Sequence, residues 1–328
     1  MTLVVSQEGK EGFSSIQAAV DALPENAGTE PRIILVKKGI YRERVAIHRD
    51  HVRLIGEDPE KTVITWSSYA LEMHPDGTER TTFRSWTLMT TGEDIRVENL
   101  TIRNDAGDGE IVGQAVAVYA AGDRGAWKNC RMIAHQDTLY CGPLRTPDVT
   151  EDLGSRTGRA EQAPRVQDGP LTRSRQYFEK CLIQGDVDFI FGCYRCWFED
   201  CTLFMNKRGG WYTAANTHMD QPWGFVFHRC LLTGECPEGR AYLGRPWRAG
   251  ARTLFLDCEM DEHVAPEGFT DWDETRVVTS RCGEGGTRGA RADQAPRHPF
   301  QKRLTETEQK GIAPETVLDG WNGGRGEA

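Results

Sequence analysis

The sequence predicts an all-β fold in which short strands stack as successive coils of one solenoid. The first observation is a matched pair of segments: Cys130 and Cys181 each follow an aromatic residue by three positions and precede an aspartate, Asp137 or Asp188, by seven. This match indicates the same position in two copies of a repeat. The second observation is that the repeat continues along most of the chain. The third is that no linker rich in Pro, Gly and Ser divides the pattern between residues 33 and 278.

Further copies of the repeat give the length of one coil. Each copy places a small or apolar residue before a short hydrophobic strand, at Leu100, Cys130, Cys181, Cys201, Cys230 and Cys258. Four of the five steps between these positions measure 20 to 30 residues, which is the length of one solenoid coil. The remaining step of 51 residues indicates one coil plus an insertion. The insertion, residues 141–174, is polar and lacks an apolar period, so we expect a long loop.

The continuous repeat predicts one domain over residues 1–328, although chain length alone would suggest two. An end coil exposes unpaired backbone and an apolar face and therefore needs a cover. The capping-box sequence at residues 14–17 precedes apolar residues at helical spacing, so we expect a short N-terminal capping helix. A second capping box begins at Thr305, within a tail of residues 283–328 that we expect to fold back on the solenoid.

Composition and charge limit the possible partners and locations. A net charge of −9 and a pI near 5.5 argue against binding to nucleic acid, which needs a basic surface. No stretch approaches the roughly 20 apolar residues of a membrane span, and the first residues lack the features of a signal peptide. We therefore expect no membrane partner and a cytoplasmic location, or a secreted one if a signal segment has been removed.

The cysteines are expected to be reduced core residues. Five of the ten lie at the repeat position, where an inward-facing thiol packs as a small apolar side chain. Disulfides are rare in a cytoplasmic chain. Cys193 and Cys196 form a lone CxxC without a second pair or suitably spaced histidines, so we expect no metal site.

The two repeat-related aspartates are the main candidates for chemistry. Either one alone is more typical of a turn at the end of a strand. Equivalent residues of adjacent parallel coils lie about 4.8 Å apart, so Asp137 and Asp188 should face each other. Two carboxylates this close repel, and we expect one to be protonated and the other charged. That division suits a site in which one group donates a proton and the other attacks as a nucleophile.

Amide and guanidinium groups in nearby motifs would complete such a site. Gln114 lies in the apolar run GQAVAVYA, and Gln136 directly precedes an aspartate. Their amides either pair with backbone groups or point at an oxygen that becomes negative during reaction, as in an oxyanion hole. Arg245, in YLGRPW, is either a surface side chain or a fork that holds an ionised aspartate.

Aromatic residues in loop-like sequence could line a groove for sugar rings. Trp247 and Tyr140 lie close to the motifs above. Scattered surface positions are the simpler interpretation for the remaining candidates, Trp211, Trp223, Phe269 and Trp272.

Together these segments resemble the signature motifs of the pectin methylesterase family. The motifs are GQAVAVYA, AHQDTLY, GDVDFIFG and YLGRPW, and the likeness extends over nearly the whole chain. The resemblance implies a right-handed parallel β-helix without metal or organic cofactor. It also implies hydrolysis of methyl-esterified galacturonides, in pectin or oligogalacturonides, to free carboxylates and methanol. Because solenoids of this kind are often self-sufficient, we expect a monomer.

The resemblance also implies roles for single residues. Asp188 is similar in position to the nucleophile that forms an acyl-enzyme anhydride, and Asp137 to the general acid and base. Gln114 and Gln136 match oxyanion-hole glutamines, and Arg245 matches the arginine that orients the nucleophile. The expected substrate contacts are Trp247, Thr87, Tyr140, Phe189 and Phe269. At the position of Phe269 the family commonly has a tryptophan.

Other classes of carbohydrate-binding protein remain open at this stage. Carboxylates about 5 to 5.5 Å apart are also typical of a retaining glycosidase, although that reaction gains little from two amides aimed at one oxygen. A lyase would need a calcium-binding carboxylate cluster beside a basic residue, which we do not find. A non-catalytic solenoid would release neither methanol nor new reducing ends. If the chain is an esterase, we expect the insertion at 141–174 to wall one end of the groove and favour short oligogalacturonides.

Overall fold

Three long parallel sheets and one two-stranded sheet form the body of the molecule. The computed structural model of the chain describes residues 1–10, 12–25, 28–142, 174–290, 292 and 296–325. Within these residues we number the strands in chain order and name the long sheets A, B and C. Sheet A contains eleven strands: β1 (Thr2–Val5), β2 (Arg32–Val36), β5 (Val52–Gly56), β8 (Arg96–Glu98), β11 (Gly125–Lys128), β14 (Arg175–Glu179), β17 (Arg195–Glu199), β21 (Phe225–His228), β24 (Arg252–Leu256), β26 (Arg281–Gly285) and β28 (Lys302–Arg303).

The other strands divide between sheets B and C and the short sheet. Sheet B contains nine described strands: β3 (Gly39–Arg42), β6 (Thr62–Trp66), β9 (Thr101–Asn104), β12 (Arg131–Ile133), β15 (Leu182–Gly185), β18 (Thr202–Met205), β22 (Leu231–Gly234), β25 (Glu259–Met260) and β27 (Arg288–Gly289). Sheet C contains six: β4 (Val45–Ile47), β7 (Leu88–Thr90), β10 (Val118–Ala120), β13 (Leu139–Cys141), β16 (Ile190–Gly192) and β20 (Thr213–Ala215). The short sheet pairs β19 (Gly210–Trp211) with β23 (Ala241–Tyr242).

From β2 to β20 the chain visits the sheets in the order A, B, C and then starts the next coil one strand further along each sheet. After β20 the described strands of the long sheets alternate between A and B. Neighbouring strands are parallel, as in the pairs β13 with β16 and β15 with β18. The predicted parallel β-helix is therefore confirmed. Because side chains alternate between the faces of a strand, one set fills the interior of the helix and the other lies outside it.

The corner between sheets A and B explains the repeat found in the sequence. Its first residue adopts a left-handed conformation, with φ between 51° and 56°, at Asn99, Asn129, Lys180, Asp200, Arg229 and Asp257. Its second residue is Leu100 or one of five cysteines, all buried. Each of these thiols donates to a carbonyl oxygen of the preceding coil, for example from Cys181 to Trp127 at 3.5 Å. All ten cysteines are free and buried, as expected from their positions.

Identical rings stack through the interior behind sheet A. The rings of Phe178, Phe198, Phe227 and Phe255 lie nearly parallel, with centroids 4.4 to 4.6 Å apart. This is close to the spacing of adjacent strands, so each coil contributes one ring to a continuous stack. The core is thus built by repeating one contact along the helix axis.

The N-terminal end is covered by helix α1 (Ile16–Asp21), which confirms the predicted capping helix. Its buried residues join the interior core. The predicted capping box is wrong in detail. Ser15 is the N-cap, and the carboxylate of Glu43 accepts hydrogen bonds from the first two backbone N–H groups of the helix. The side chain of Gln17 accepts instead from the backbone N–H of Ala46, so the turn between β3 and β4 supplies the carboxylate of the cap through Glu43.

The remaining helices are short: α2 (Gly109–Val112), α3 (Glu274–Val277), α4 (Glu306–Gln309), α5 (Pro314–Val317) and a 3₁₀ turn at Thr82–Arg84. The capping box at Thr305 forms as predicted. None of the helices in the described part of the chain has the length and apolar character needed to span a bilayer.

The C-terminal segment packs against the outer face of sheet A. Val317 and Leu318 lie in a buried cluster with residues of four sheet A strands, Tyr177, Trp197, Val226 and Leu256. The guanidinium of Arg175 donates to the carbonyl oxygens of Leu318 and Asp319, both at 3.2 Å. The one-domain organisation stays a prediction that this packing supports. Most of the predicted insertion, residues 143–173, lies outside the described residues.

Candidate active site

A pocket of about 180 Å³ lies over the outer face of sheet C. Its floor continues into a buried aromatic cluster on the same face, which includes Phe83, Tyr140 and Phe191. The pocket wall brings together six residues that the sequence placed in a site: Gln114, Gln136, Asp137, Asp188, Arg245 and Trp247. They come from four coils within a run of five, so it is the stacking of the coils that brings them together.

The two aspartates occupy equivalent places in adjacent coils. Each lies two residues before a strand of sheet C, and those strands pair with Leu139 opposite Ile190. The backbone N–H of Asp137 donates to the Val187 carbonyl oxygen at 3.0 Å. Both aspartates adopt left-handed φ angles, 65° at Asp137 and 51° at Asp188, which aspartate tolerates better than most residues. Both are at least nine-tenths buried and face the pocket, as the repeat required.

Arg245 holds Asp188 in a two-pronged contact. Its Nε and Nη2 donate to the two carboxylate oxygens at 2.9 and 2.6 Å, the fork geometry expected for an arginine that fixes a carboxylate. The backbone of Arg245 reaches this place by adding to the edge of sheet C, where its N–H donates to Thr213. Gly244 permits the approach, because a Cβ there would lie 2.0 Å from the Thr213 hydroxyl.

The two glutamines lie side by side at the opposite edge of the pocket. Gln114 sits in the extended segment before β10, outside any strand, and the next residue, Ala115, donates its N–H to the Gln136 carbonyl oxygen. Neither side-chain amide hydrogen-bonds to another residue within the described ranges, so the structural pairing considered above is not seen there. Gly109 of α2 packs directly on Gln136, and a Cβ at this glycine would lie 2.7 Å from the Gln136 Cβ.

A second ionisable pair joins the same two coils just behind the pocket. His135 Nδ1 lies 2.9 Å from Asp186 Oδ2, and the Asp186 side chain has no exposed surface. Asp186 also accepts from the Val187 N–H, while its own N–H donates to the His135 carbonyl oxygen. The hydrogen bond from His135 to Asp186, with the charge of that carboxylate, raises the pKa of His135 above its ordinary value.

Comparison with known proteins agrees with this geometry. A family model described as Pectinesterase matches residues 2–146 and 166–318. The chain belongs to the pectinesterase family. It is 30% identical over 322 residues to pectinesterase 31 of Arabidopsis thaliana, a match that covers 96% of this chain and 91% of the relative. The unmatched residues 147–165 fall inside the predicted insertion.

Solved structures of the same family are also similar. The pectin methylesterase from carrot has a TM-score of 0.79 at 27% identity, covering 97% of this chain and 93% of the other. A pectin methylesterase in complex with a hexasaccharide has a TM-score of 0.77 at 26% identity, covering 97% of both chains. The predicted enzyme class, a pectin methylesterase, is thereby confirmed. The match argues against the glycosidase, lyase and non-catalytic alternatives. Among the described residues, no group of three or more potential ligands is placed to hold a metal ion.

Four expected substrate contacts do not line the pocket of this pectinesterase, because these residues have no exposed surface: Thr87, Tyr140, Phe189 and Phe269. The Thr87 hydroxyl donates to the Arg103 carbonyl oxygen. The ring of Tyr140 lies under those of Phe83 and Phe191. The other two belong to the interior core: Phe189 packs on Tyr212 and Phe269 on Phe255.

Other residues line the pocket in their place. Phe83, Phe191 and Trp272 face it together with Thr82 and Ala214, while Trp247 lies there as predicted. Strand alternation could have found Phe191, since it lies one position from the inward Ile190 of β16. No periodic signal marks Phe83, which lies in a 3₁₀ turn before strand β7 of sheet C. Trp211 and Trp272, interpreted above as scattered surface aromatics, both contact the guanidinium of Arg245.

Proposed function

We propose that this pectinesterase removes methyl groups from methyl-esterified galacturonan through an aspartyl acyl-enzyme intermediate. The observation that carries the proposal is the fork between Arg245 and Asp188, in a pocket that also presents Asp137, Gln114 and Gln136. The related pectin methylesterase solved with a hexasaccharide supports an oligosaccharide as the ligand.

In the first step a carboxylate oxygen of Asp188 attacks the ester carbonyl carbon. The two hydrogen bonds from Arg245 fix the orientation of Asp188. A guanidinium in this position favours the charged form of a carboxylate, which is the form that attacks. The ester oxygen becomes negative in the tetrahedral intermediate. The amides of Gln114 and Gln136 have no described partner of their own and would donate to that oxygen.

Collapse of the intermediate breaks the bond to the methoxy oxygen. Asp137, in its protonated form, donates its proton to that oxygen, so methanol leaves and an anhydride remains between the sugar carboxyl and Asp188. Asp137 is then a carboxylate and accepts a proton from water as the water attacks the sugar carbonyl carbon. Asp188 departs as a carboxylate, Asp137 is protonated again, and the sugar carries a free acid.

Aromatic residues would hold the sugar chain over these groups. Trp247 and Phe191 line the pocket beside the aspartates, and their ring centroids lie 6.0 Å apart. An apolar floor under a polar catalytic group is typical of sites for sugar rings, which have one apolar face.

Asp188→Asn tests the proposal directly. The amide keeps the shape of the side chain but cannot form the acyl-enzyme, so methanol release from methylated oligogalacturonides should fall by about 10³-fold or more. Mass spectrometry of wild-type enzyme quenched during turnover should find the galacturonosyl adduct on a peptide containing Asp188. Retained methanol release by Asp188→Asn, or new reducing ends in place of methanol, would contradict the mechanism.

We further propose that the chain acts as a monomer and as one domain over residues 1–328. The continuous sheets and the C-terminal packing on sheet A support this. Light scattering across a range of protein concentrations should give the mass of a single chain. Chemical unfolding should show a single transition. The cytoplasmic location expected from the first residues has no support from the comparisons and stays a prediction only.

A further inference from the structure

The guanidinium of Arg245 is held between two indole rings. Its central carbon lies 3.8 Å from the ring centre of Trp211 and 4.0 Å from that of Trp272. Two rings this close cannot share one face of a planar group, so they flank it. The N–H groups at the edge of the guanidinium are left to meet Asp188, which they do at 2.9 and 2.6 Å.

Each indole is itself fixed from outside the contact. Trp211 donates from Nε1 to the Thr270 hydroxyl at 2.8 Å and stacks on Tyr242, with ring centroids 5.7 Å apart. These residues come from adjacent coils, since β19 and β23 pair with Trp211 opposite Tyr242. Trp211 therefore has little freedom to tilt.

Trp272 is fixed through the start of α3. The guanidinium of Arg276 lies 5.3 Å from its ring centre, and Arg276 Nη1 donates to the Trp247 carbonyl oxygen at 2.6 Å. Arg276 also pairs with Asp273, the N-cap of α3. Trp272 is 38% exposed and lines the pocket, so it forms the outer side of the contact.

We propose that Trp211 and Trp272, here called the tryptophan clamp, are positioning residues that set the plane of Arg245 and thereby the attack direction of Asp188. The proposal rests on the roles given above to Asp188 and Arg245. A fork contact needs the guanidinium and the carboxylate to be coplanar, and a flexible arginine side chain does not ensure this alone. Indole faces favour a cation over their centres, so the clamp supplies the missing constraint.

Removal of either ring should lower kcat more than it raises KM. A small misplacement of a catalytic group costs up to about 10²-fold in rate, so we expect Trp211→Leu and Trp272→Leu each to lose about 10- to 100-fold in kcat for methanol release. KM should stay within about threefold, because a clamp that acts on Arg245 does not hold the sugar. Trp211→Phe and Trp272→Phe keep an aromatic face and should recover most of the loss.

Trp66→Leu is the matched control. Trp66 is 39% exposed, close to the value of Trp272, but lies on β6 of sheet B and does not line the pocket. Its variant should keep wild-type kcat. An equal loss of kcat in Trp66→Leu would mean general destabilisation and would overturn the inference. So would a raised KM with unchanged kcat in Trp272→Leu, since that result indicates sugar stacking.

A double-mutant test separates the clamp from the mechanism it serves. In an Arg245→Ala background, loss of Trp211 or Trp272 should cost little further rate, because the group that they position is gone. Additive losses in that background would contradict the clamp. If Asp188→Asn and Arg245→Ala abolish activity while both clamp variants behave as wild type, only the clamp fails. If Asp188→Asn stays active, the proposed mechanism fails instead.

Discussion

Two arginine–aspartate forks in the molecule have nearly the same geometry but different surroundings. In the first, Arg245 meets Asp188 at 2.9 and 2.6 Å in the pocket. In the second, Arg175 meets Asp123 at 3.0 and 2.7 Å, where β14 begins. Geometry alone therefore does not mark a catalytic carboxylate.

The difference lies in the other partners of each arginine. Arg175 also donates to the carbonyl oxygens of Leu318 and Asp319, and its backbone N–H donates to Asp123. Both side chains of that fork are more than nine-tenths buried. Arg245 instead packs between aromatic rings, and its partner faces a pocket beside a second carboxylate. The fork of Arg245 presents a carboxylate to the pocket, and the fork of Arg175 attaches the C-terminal segment to sheet A.

The sharpest test of this contrast is to remove each arginine in turn. Arg245→Ala should lower kcat by about 10³-fold, because the loss falls on the proposed nucleophile. It should cost less stability than Arg175→Ala, because the Arg245 side chain is 20% exposed, against 7% for Arg175, and does not attach another segment of the chain. Arg175→Ala should lower the free energy of unfolding by about 2–4 kcal/mol, since a buried carboxylate loses two side-chain hydrogen bonds and keeps Arg124 and one backbone N–H as its described partners, while the folded enzyme keeps its kcat. Methanol assays and chemical unfolding on both variants give the result. A large loss of kcat in folded Arg175→Ala would erase the distinction.

The glutamines sharpen the catalytic side of the comparison. Gln136→Ala and Gln114→Ala should each lower kcat by about 10²- to 10³-fold, the cost of one oxyanion donor. The stability of both variants should stay near wild type, because neither amide bonds to another described residue. Steady-state kinetics with chemical unfolding measure both quantities. An unchanged kcat in both variants would remove the glutamines from the proposed mechanism.

Acid should weaken the fork at Asp123. Burial acts to raise the pKa of Asp123, but hydrogen bonds from the Arg175 side chain and backbone lower it below its ordinary value. A lowered folded pKa gives stability that is present above the unfolded pKa and lost as pH falls through the folded pKa. Unfolding measured from neutral pH down to about pH 3 should show a steeper decline for wild type than for Asp123→Asn. Parallel curves would contradict this role.

The smallest effect is expected at His135, behind the pocket. Its pKa is raised, chiefly by the hydrogen bond to Asp186, with Asp108 adding to the shift while burial and Arg208 oppose it. The stability that the pair contributes is therefore full below the unfolded pKa of histidine and is lost as pH rises through the folded pKa. His135→Gln should flatten the stability profile above about pH 6.5, the ordinary pKa of histidine. NMR titration of the ring in wild type supplies the matching pKa.

The sequence was sufficient for features that repeat and for residues that lie in register. The corner residues recur at coil spacing, so the coil, the inward cysteines and the equivalence of Asp137 and Asp188 all followed from one pattern. The substrate contacts could not be predicted from that pattern. Motif position shows that Phe189 is near the site, but whether it points inward or outward depends on the phase of the strand, and β16 turns Phe191 outward instead. Trp211 and Trp272 are distant in sequence and both contact Arg245, and no local sequence pattern relates the two positions.

The corner between sheets A and B has a further consequence for how this fold can diversify. In eight of the nine A-to-B crossings in the described strands, two residues join the strands. The connections that enter and leave sheet C vary far more in length, from two residues between β3 and β4 to 21 between β6 and β7 and 33 between β13 and β14. An added residue at the tight corner would shift the next strand by one place and turn its inward side chains out. Changes in chain length are thus tolerated mainly beside the pocket, where they reshape access to the substrate and leave the scaffold intact.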